Sequence, residues 1–173
     1  MRTIEIKAYQ FNELNEKAKE TAKENYANLF GYAWSEEAID SLQTLAKKFG
    51  AKLKNYSVDW FNGSYSSAEF DAPEMEREEI GAILKTLGSY DPKTLQGRGD
   101  CKLTGFCMDE SAIDGFRRAF FAGESDLATL LQSAFDSWLK DGQADAEGQY
   151  EDEQFAEHCE ANGYEFDERG ERI

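Results

Sequence analysis

The sequence predicts an α+β fold: a small antiparallel sheet packed with five or six helices, ending in an acidic helical segment. Three patterns carry that prediction. Apolar residues recur at helical spacing in several stretches, most regularly at Leu127, Leu130, Leu131, Ala134, Phe135, Trp138 and Leu139, the period that lines one face of a helix. Two short β-type runs flank Asn62-Gly63, a dipeptide that strongly marks a two-residue hairpin. The 173 residues are 40% hydrophobic, with 12 Phe, 8 Tyr and 3 Trp. That is enough to build a core, and unlike the aromatic-poor composition of disordered acidic chains.

Taken in order, residues 3–9 alternate, Ile4, Ile6 and Ala8 against Thr3, Glu5 and Lys7, which predicts a strand with one wet face. Asn12 and Asn15 offer caps to a first helix over 16–30, with Leu14, Ala18, Ala22, Tyr26, Leu29 and Phe30 on its apolar stripe and Gly31 as its stop. Ser35, followed by Glu36 and Glu37, starts a second helix whose stripe is Ile39, Leu42, Ala46 and Phe49 and which Gly50 closes. Strands over 53–61 and 65–70 form the hairpin. Pro73 suits the first turn of a third helix over 74–87.

Residues 88–100 read as a loop and 101–108 as a short strand. Ser111 and Asp114 have the capping-box spacing and open a fourth helix. Ser125 caps the fifth, and Lys140-Asp141-Gly142 is a weak break after it. The acidic segment that follows keeps a sparse apolar face of Tyr150, Phe155 and Cys159, ends its helix near Asn162-Gly163 and leads into a terminal strand at 164–166. The expected organisation is a core domain over 1–140 and an acidic segment over 141–173 packed on the same domain.

Charge is distributed unevenly. The net charge is −16. Residues 1–60 balance nine Lys/Arg against nine Asp/Glu, whereas 101–173 carry six against eighteen. Between Asp141 and Glu168 there are eleven carboxylates and no Lys or Arg. Self-repulsion of that kind costs stability, so it is not a packing device. It argues against direct nucleic-acid binding, because phosphate contacts need Lys and Arg. A solubilising acidic tail is the plain reading. The sharper one is phosphate mimicry: a 28-residue helix would be roughly 42 Å long, so eleven carboxylates would fall about every 4 Å, near the 3.4 Å per phosphate of one DNA strand.

Catalytic and metal signatures are weak by comparison. The single histidine, His158, adjoins Cys159, but neighbours on a helix point about 100° apart, which spoils a Cys–His pair and leaves His158 as a solvated surface residue. Cys101 and Cys107 lack the spacing of zinc ligands. A calcium loop starting at Asp141 fails at Gln143 and Ala146. Gly97-Arg98-Gly99 is too short for a phosphate cradle. No cofactor and no metal are expected. Three cysteines, with no apolar run at the amino terminus and no stretch of roughly 20 apolar residues, lead to the expectation of reduced thiols in a cytoplasm and of no membrane contact.

Three blocks of sequence carry a resemblance. Residues 9–19 (Tyr9-Gln10-Phe11-Asn12-Glu13-Leu14-Asn15-Glu16-Lys17-Ala18-Lys19), 101–107 (Cys101-Lys102-Leu103-Thr104-Gly105-Phe106-Cys107) and 160–170 (Glu160-Ala161-Asn162-Gly163-Tyr164-Glu165-Phe166-Asp167-Glu168-Arg169-Gly170) resemble, in order, motifs of small phage and prophage proteins loosely labelled antitoxin-like. The resemblance implies a phage or mobile-element origin, a setting in which acidic proteins without catalytic motifs are frequently anti-defence proteins, including anti-CRISPR and anti-restriction DNA mimics. The association is one of genomic habit.

The function expected is therefore that of a phage-encoded, non-enzymatic inhibitor acting in the host bacterial cytoplasm. It would bind a nucleic-acid-handling defence complex, most plausibly a CRISPR effector, and block its DNA site. The expected partner-binding residues are Asp145, Glu147, Glu151, Asp152, Glu153, Glu157 and Glu160, with Tyr150 as an apolar anchor. The aromatics Tyr150, Phe155, Tyr164 and Phe166 read first as pins that hold the segment to the core; the anchor role, Tyr150 first, is the alternative to that. An antitoxin that covers a toxin is the second reading, and an enzyme working from the loop over 90–100, with Arg98, the third. A homodimer would double the charged surface, though no residue demands one.

Overall fold

Asn15 places the first helix: its side chain accepts the Ala18 N–H at 3.1 Å, and α1 runs Glu16–Phe30. In this computed structural model, which describes residues 7–61 and 65–173, the other elements are α2 (Ser35–Lys48), β1 (Lys52–Ser57), β2 (Ser67–Asp71), α3 (Arg77–Leu84), α4 (Asp109–Phe121), α5 (Leu127–Gln149) and α6 (Asp152–Asn162). The fold is α+β, with six α-helices and a two-stranded antiparallel sheet among the described residues. The strand expected over 3–9 falls largely outside the described residues. At its end Tyr9 makes an isolated antiparallel bridge with Phe166.

The described chain forms two compact units: residues up to 33 with 145–173, and residues 34–144. The acidic segment is thus divided at 144/145, and α5 begins in the second unit and ends in the first.

The first unit is held by aromatic packing. Phe11, Leu14, Ala18 and Ala22 bury against Phe155, Ala156, Cys159 and Phe166. The Phe11 and Phe155 rings meet edge-to-face at 4.9 Å. This explains why α6 forms although its exterior is acidic: a helix this short needs tertiary packing more than propensity. A left-handed Gly163 (φ 65°) ends it. Gly170 lies so close to the Ala18 carbonyl that a Cβ there would overlap it, which anchors the tail onto α1.

In the second unit α2 and α4 pack through Phe49 and Phe116, stacked at 4.5 Å. Trp138 of α5 is fully buried, stacks on Phe135, lies tilted against Trp60, and donates its Nε1–H to the Ala38 carbonyl at 3.0 Å. β1 and β2 pair antiparallel, Tyr56 opposite Ala68, with an irregularity between Leu53 and Asn55. The pairing matches the expected hairpin, while the Asn62-Gly63 turn itself lies outside the described residues.

Six expectations give way to the contacts the chain makes. Helix α3 starts at Arg77, not 74, because Glu76 and Glu79 form the reciprocal capping box. Residues 101–108 form no strand; that segment wraps around the buried Asp109 carboxylate, which accepts the N–H groups of Thr104 and Gly105, each at 2.8 Å. Ser111 and Asp114 do not cap α4, which begins at Asp109; both sit inside it, Ser111 bonding back to the Met108 carbonyl. The cap of α5 is Asp126, whose Oδ2 accepts the Thr129 N–H at 2.9 Å, so Ser125 has no such role. Nor does the chain break at 140–142: α5 continues, since Gly142 lets Trp60 and Met108 lie directly on its backbone. The terminal strand at 164–166 reduces to single bridges from Phe166 to Tyr9 and Arg172.

Candidate functional site

The acidic residues after 141 occupy two helices, not one. Tyr150 and Glu151 separate α5 from α6, so the single 28-residue rod does not form. Within α6, eleven residues and about 16 Å long, are Asp152, Glu153, Glu157 and Glu160.

These four divide by environment. Asp152 receives Lys23 Nζ at 2.7 Å and Lys19 Nζ at 3.3 Å. The hydrogen bond from Lys23 holds its carboxyl below the usual carboxylate range. Both lysines lie on α1, so Asp152 fastens α6 to α1 and is neutralised in doing so. Glu153, Glu157 and Glu160 are exposed, and no salt bridge among the described residues reaches them. At 100° per residue they fall within about 60° of one another, on the side of α6 away from Phe155 and Cys159. Glu153, in the first turn, suits the helix dipole. Glu157 and Glu160 face its negative end, so helix stability does not account for them.

Of the remaining expected residues, Glu147 and Glu151 are exposed and without an ion pair among the described residues. Asp145 is engaged internally: one oxygen accepts Tyr32 Oη–H at 2.5 Å and Gln149 Nε2–H at 2.9 Å. Tyr150 is half-buried, stacked on Phe155 at 5.8 Å, with its hydroxyl donating to the Gly31 carbonyl at 3.1 Å. Burial pushes its phenol up to about 12. These contacts are those of a residue that pins α6 to its unit. The open set is therefore Glu147, Glu151, Glu153, Glu157 and Glu160.

The chemistry-bearing residues elsewhere do not assemble. Contrary to expectation, His158 is half-buried, edge-on to Tyr26 at 5.1 Å and Tyr164 at 5.7 Å. Its Nε2 is buried without a hydrogen-bond partner among the described residues. Cys159 is buried, its thiol pushed up to about 11 by desolvation, the opposite of an activated nucleophile. No group of three His, Cys, Asp or Glu able to hold a metal occurs among the described residues. No helix among them is long and apolar enough to cross a membrane.

Sequence reasoning gave Asp114 only a capping role and did not single out Asp109 or Arg117, the other buried charges of α4. Asp109 gathers Ser41 Oγ at 2.5 Å together with the 104–105 backbone. Asp114 accepts the Gly97 N–H at 3.1 Å and pairs with Arg117 at 2.6 Å. Arg117, 1% exposed, also donates to the Leu95 carbonyl and lies over the Tyr90 ring. The loop considered for catalysis is thus moored by α4, while Arg98 sits at its surface 4.0 Å from Asp91. The available signal was phase: Asp109 and Arg117 fall on the same stripe as Ala112, Ile113, Phe116 and Phe120.

No family model, curated protein or solved structure matches this chain.

Proposed function

We propose that this protein works by binding: it is a phage-encoded inhibitor that presents carboxylates to the basic DNA-binding surface of a host nucleic-acid-handling defence complex, most plausibly a CRISPR effector, in the bacterial cytoplasm. The observation that carries the reading is the row Glu153, Glu157 and Glu160, exposed, uncompensated and displayed on a helix clamped from behind by Lys19, Lys23 and an aromatic cluster. Three open carboxylates over about 16 Å are one per roughly 5 Å, sparser than the phosphates of one DNA strand. Glu147 and Glu151, also exposed and without an ion pair among the described residues, would add two carboxylates to that surface.

Such a surface attracts Lys- and Arg-lined grooves over a distance and releases them as salt rises. A clamped helix also loses little entropy on docking, which favours affinity. The resemblance to small phage proteins points the same way.

The test is the triple variant Glu153→Lys, Glu157→Lys, Glu160→Lys in a pull-down from bacterial lysate, washed at low and then high salt. The expected outcome is capture of a DNA- or RNA-binding complex by the wild type, its release at high salt, and no capture by the variant, whose circular dichroism is unchanged. Equal capture by the folded variant refutes phosphate mimicry. Capture of one small toxin instead supports an antitoxin.

A further inference from the structure

The second unit contains a groove of about 340 Å³ that the acidic face does not involve. One wall is α2, contributing Ser35, Glu36, Ile39, Asp40 and Gln43; the other is Tyr56 and Ser57 at the end of β1, with Val58 just past it. Tyr56 and Ser57 are consecutive residues of β1, whose side chains point to opposite faces, so both line one groove where the strand's backbone edge contributes to the wall. The other edge of β1 is already used, Tyr56 and Ser57 pairing with Ala68 and Ser67. The groove therefore exposes the outer edge, and no further strand pairs with β1 among the described residues.

Open edges are usually blunted by lysine or proline. Here Lys52 and Lys54 lie at the far end of β1, and 55–58, Asn-Tyr-Ser-Val, carry neither. A two-stranded sheet is also marginal by itself and gains from a third strand.

The facing wall selects the occupant. Glu36 and Asp40 are one helical turn apart, exposed, and reached by no salt bridge among the described residues. Tyr56, 50% exposed, offers a ring face to a guanidinium or ammonium group. Ile39 and Val58 give the groove apolar surface for the alternate side chains of a strand. We infer that this groove takes an extended basic peptide segment of a partner protein, added as a strand to β1, with its Arg or Lys side chains directed to Glu36 and Asp40. Main-chain pairing supplies affinity and the carboxylates supply selectivity, as in other strand-addition sites.

The probe is a labelled decapeptide of alternating Arg and Val, titrated into the full chain at physiological salt and followed by anisotropy and amide NMR. Binding with shifts at Glu36, Asp40 and 56–58 is expected. The double variant Glu36→Lys, Asp40→Lys should weaken it about tenfold, and Glu36→Gln, Asp40→Gln by less, with the thermal midpoint recording that both remain folded. N-methylation of alternate peptide amides should abolish binding, while the lysine variant of the α6 row leaves it intact. No binding, shifts confined to 145–168, or indifference to the α2 substitutions or to N-methylation each overturn the proposal.

Discussion

Lys23 Nζ lies 2.7 Å from Asp152 Oδ1, and Lys19 reaches the other oxygen of the same carboxylate. These contacts tie α6 to α1 and take one charge out of the acidic face. Because the folded carboxyl titrates below its ordinary value of 3.8, its contribution to stability is fully present above that value. It is lost as pH falls through the lower, folded one. The side chain is 45% exposed, so screening keeps the pair's worth under about 1 kcal/mol. Urea titrations of Asp152→Asn and wild type should differ by that amount at neutral pH and converge in strong acid.

Tyr150 separates the core reading from the anchor reading. Tyr150→Phe keeps the ring on Phe155 and removes the bond to the Gly31 carbonyl, costing about 1 kcal/mol and leaving partner capture unchanged. Loss of capture at equal stability would restore Tyr150 to the interface.

Alkaline pH probes the same cluster. Burial raises Tyr26, and Tyr150 to about 12, above the ordinary 10.0. A raised folded value means stability is intact below pH 10 and declines as pH rises towards 12. Ultraviolet titration of wild type and Tyr150→Phe should differ by one phenol ionising well above the ordinary value.

Two glycines of α5 should respond oppositely. A Cβ at Gly142 would overlap Trp60 and Met108, whereas nothing lies within 4 Å of one at Gly148. Gly142→Ala should lower stability by about 1–3 kcal/mol, and Gly148→Ala should raise it by up to about 1 kcal/mol. Thermal midpoints moving in opposite directions would confirm the contrast; midpoints moving together would refute it.

Asp109→Ala should cost about 2–4 kcal/mol, since Ser41, Thr104 and Gly105 lose their acceptor together. Hydrogen exchange should then rise across 101–108 first. Equal protection in that segment would show that the loop does not depend on α4.

Local pattern determined much of this protein. The bounds of α1, the period of α5, the antiparallel pairing around 62–63 and the closing Gly163 rest on spacing and caps within a few residues, which an isolated sequence displays. So does the density of carboxylates after 141. What only the tertiary structure decided is which of those charges remain open. All four are carboxylates; Asp152 and Asp145 are set apart from Glu153 and Glu157 by what approaches them from far along the chain: Lys19, Lys23 and Tyr32.

Long-range contacts also tied Asp109, the centre of the loop over 101–108, to Ser41, carried α5 through Gly142 and set Tyr56 and Ser57 across a groove from Glu36 and Asp40. Helical period and caps are properties of neighbouring residues. The ion pairs of Asp152 and the burial of α6 depend on residues more than a hundred positions apart, which only the folded chain brings together.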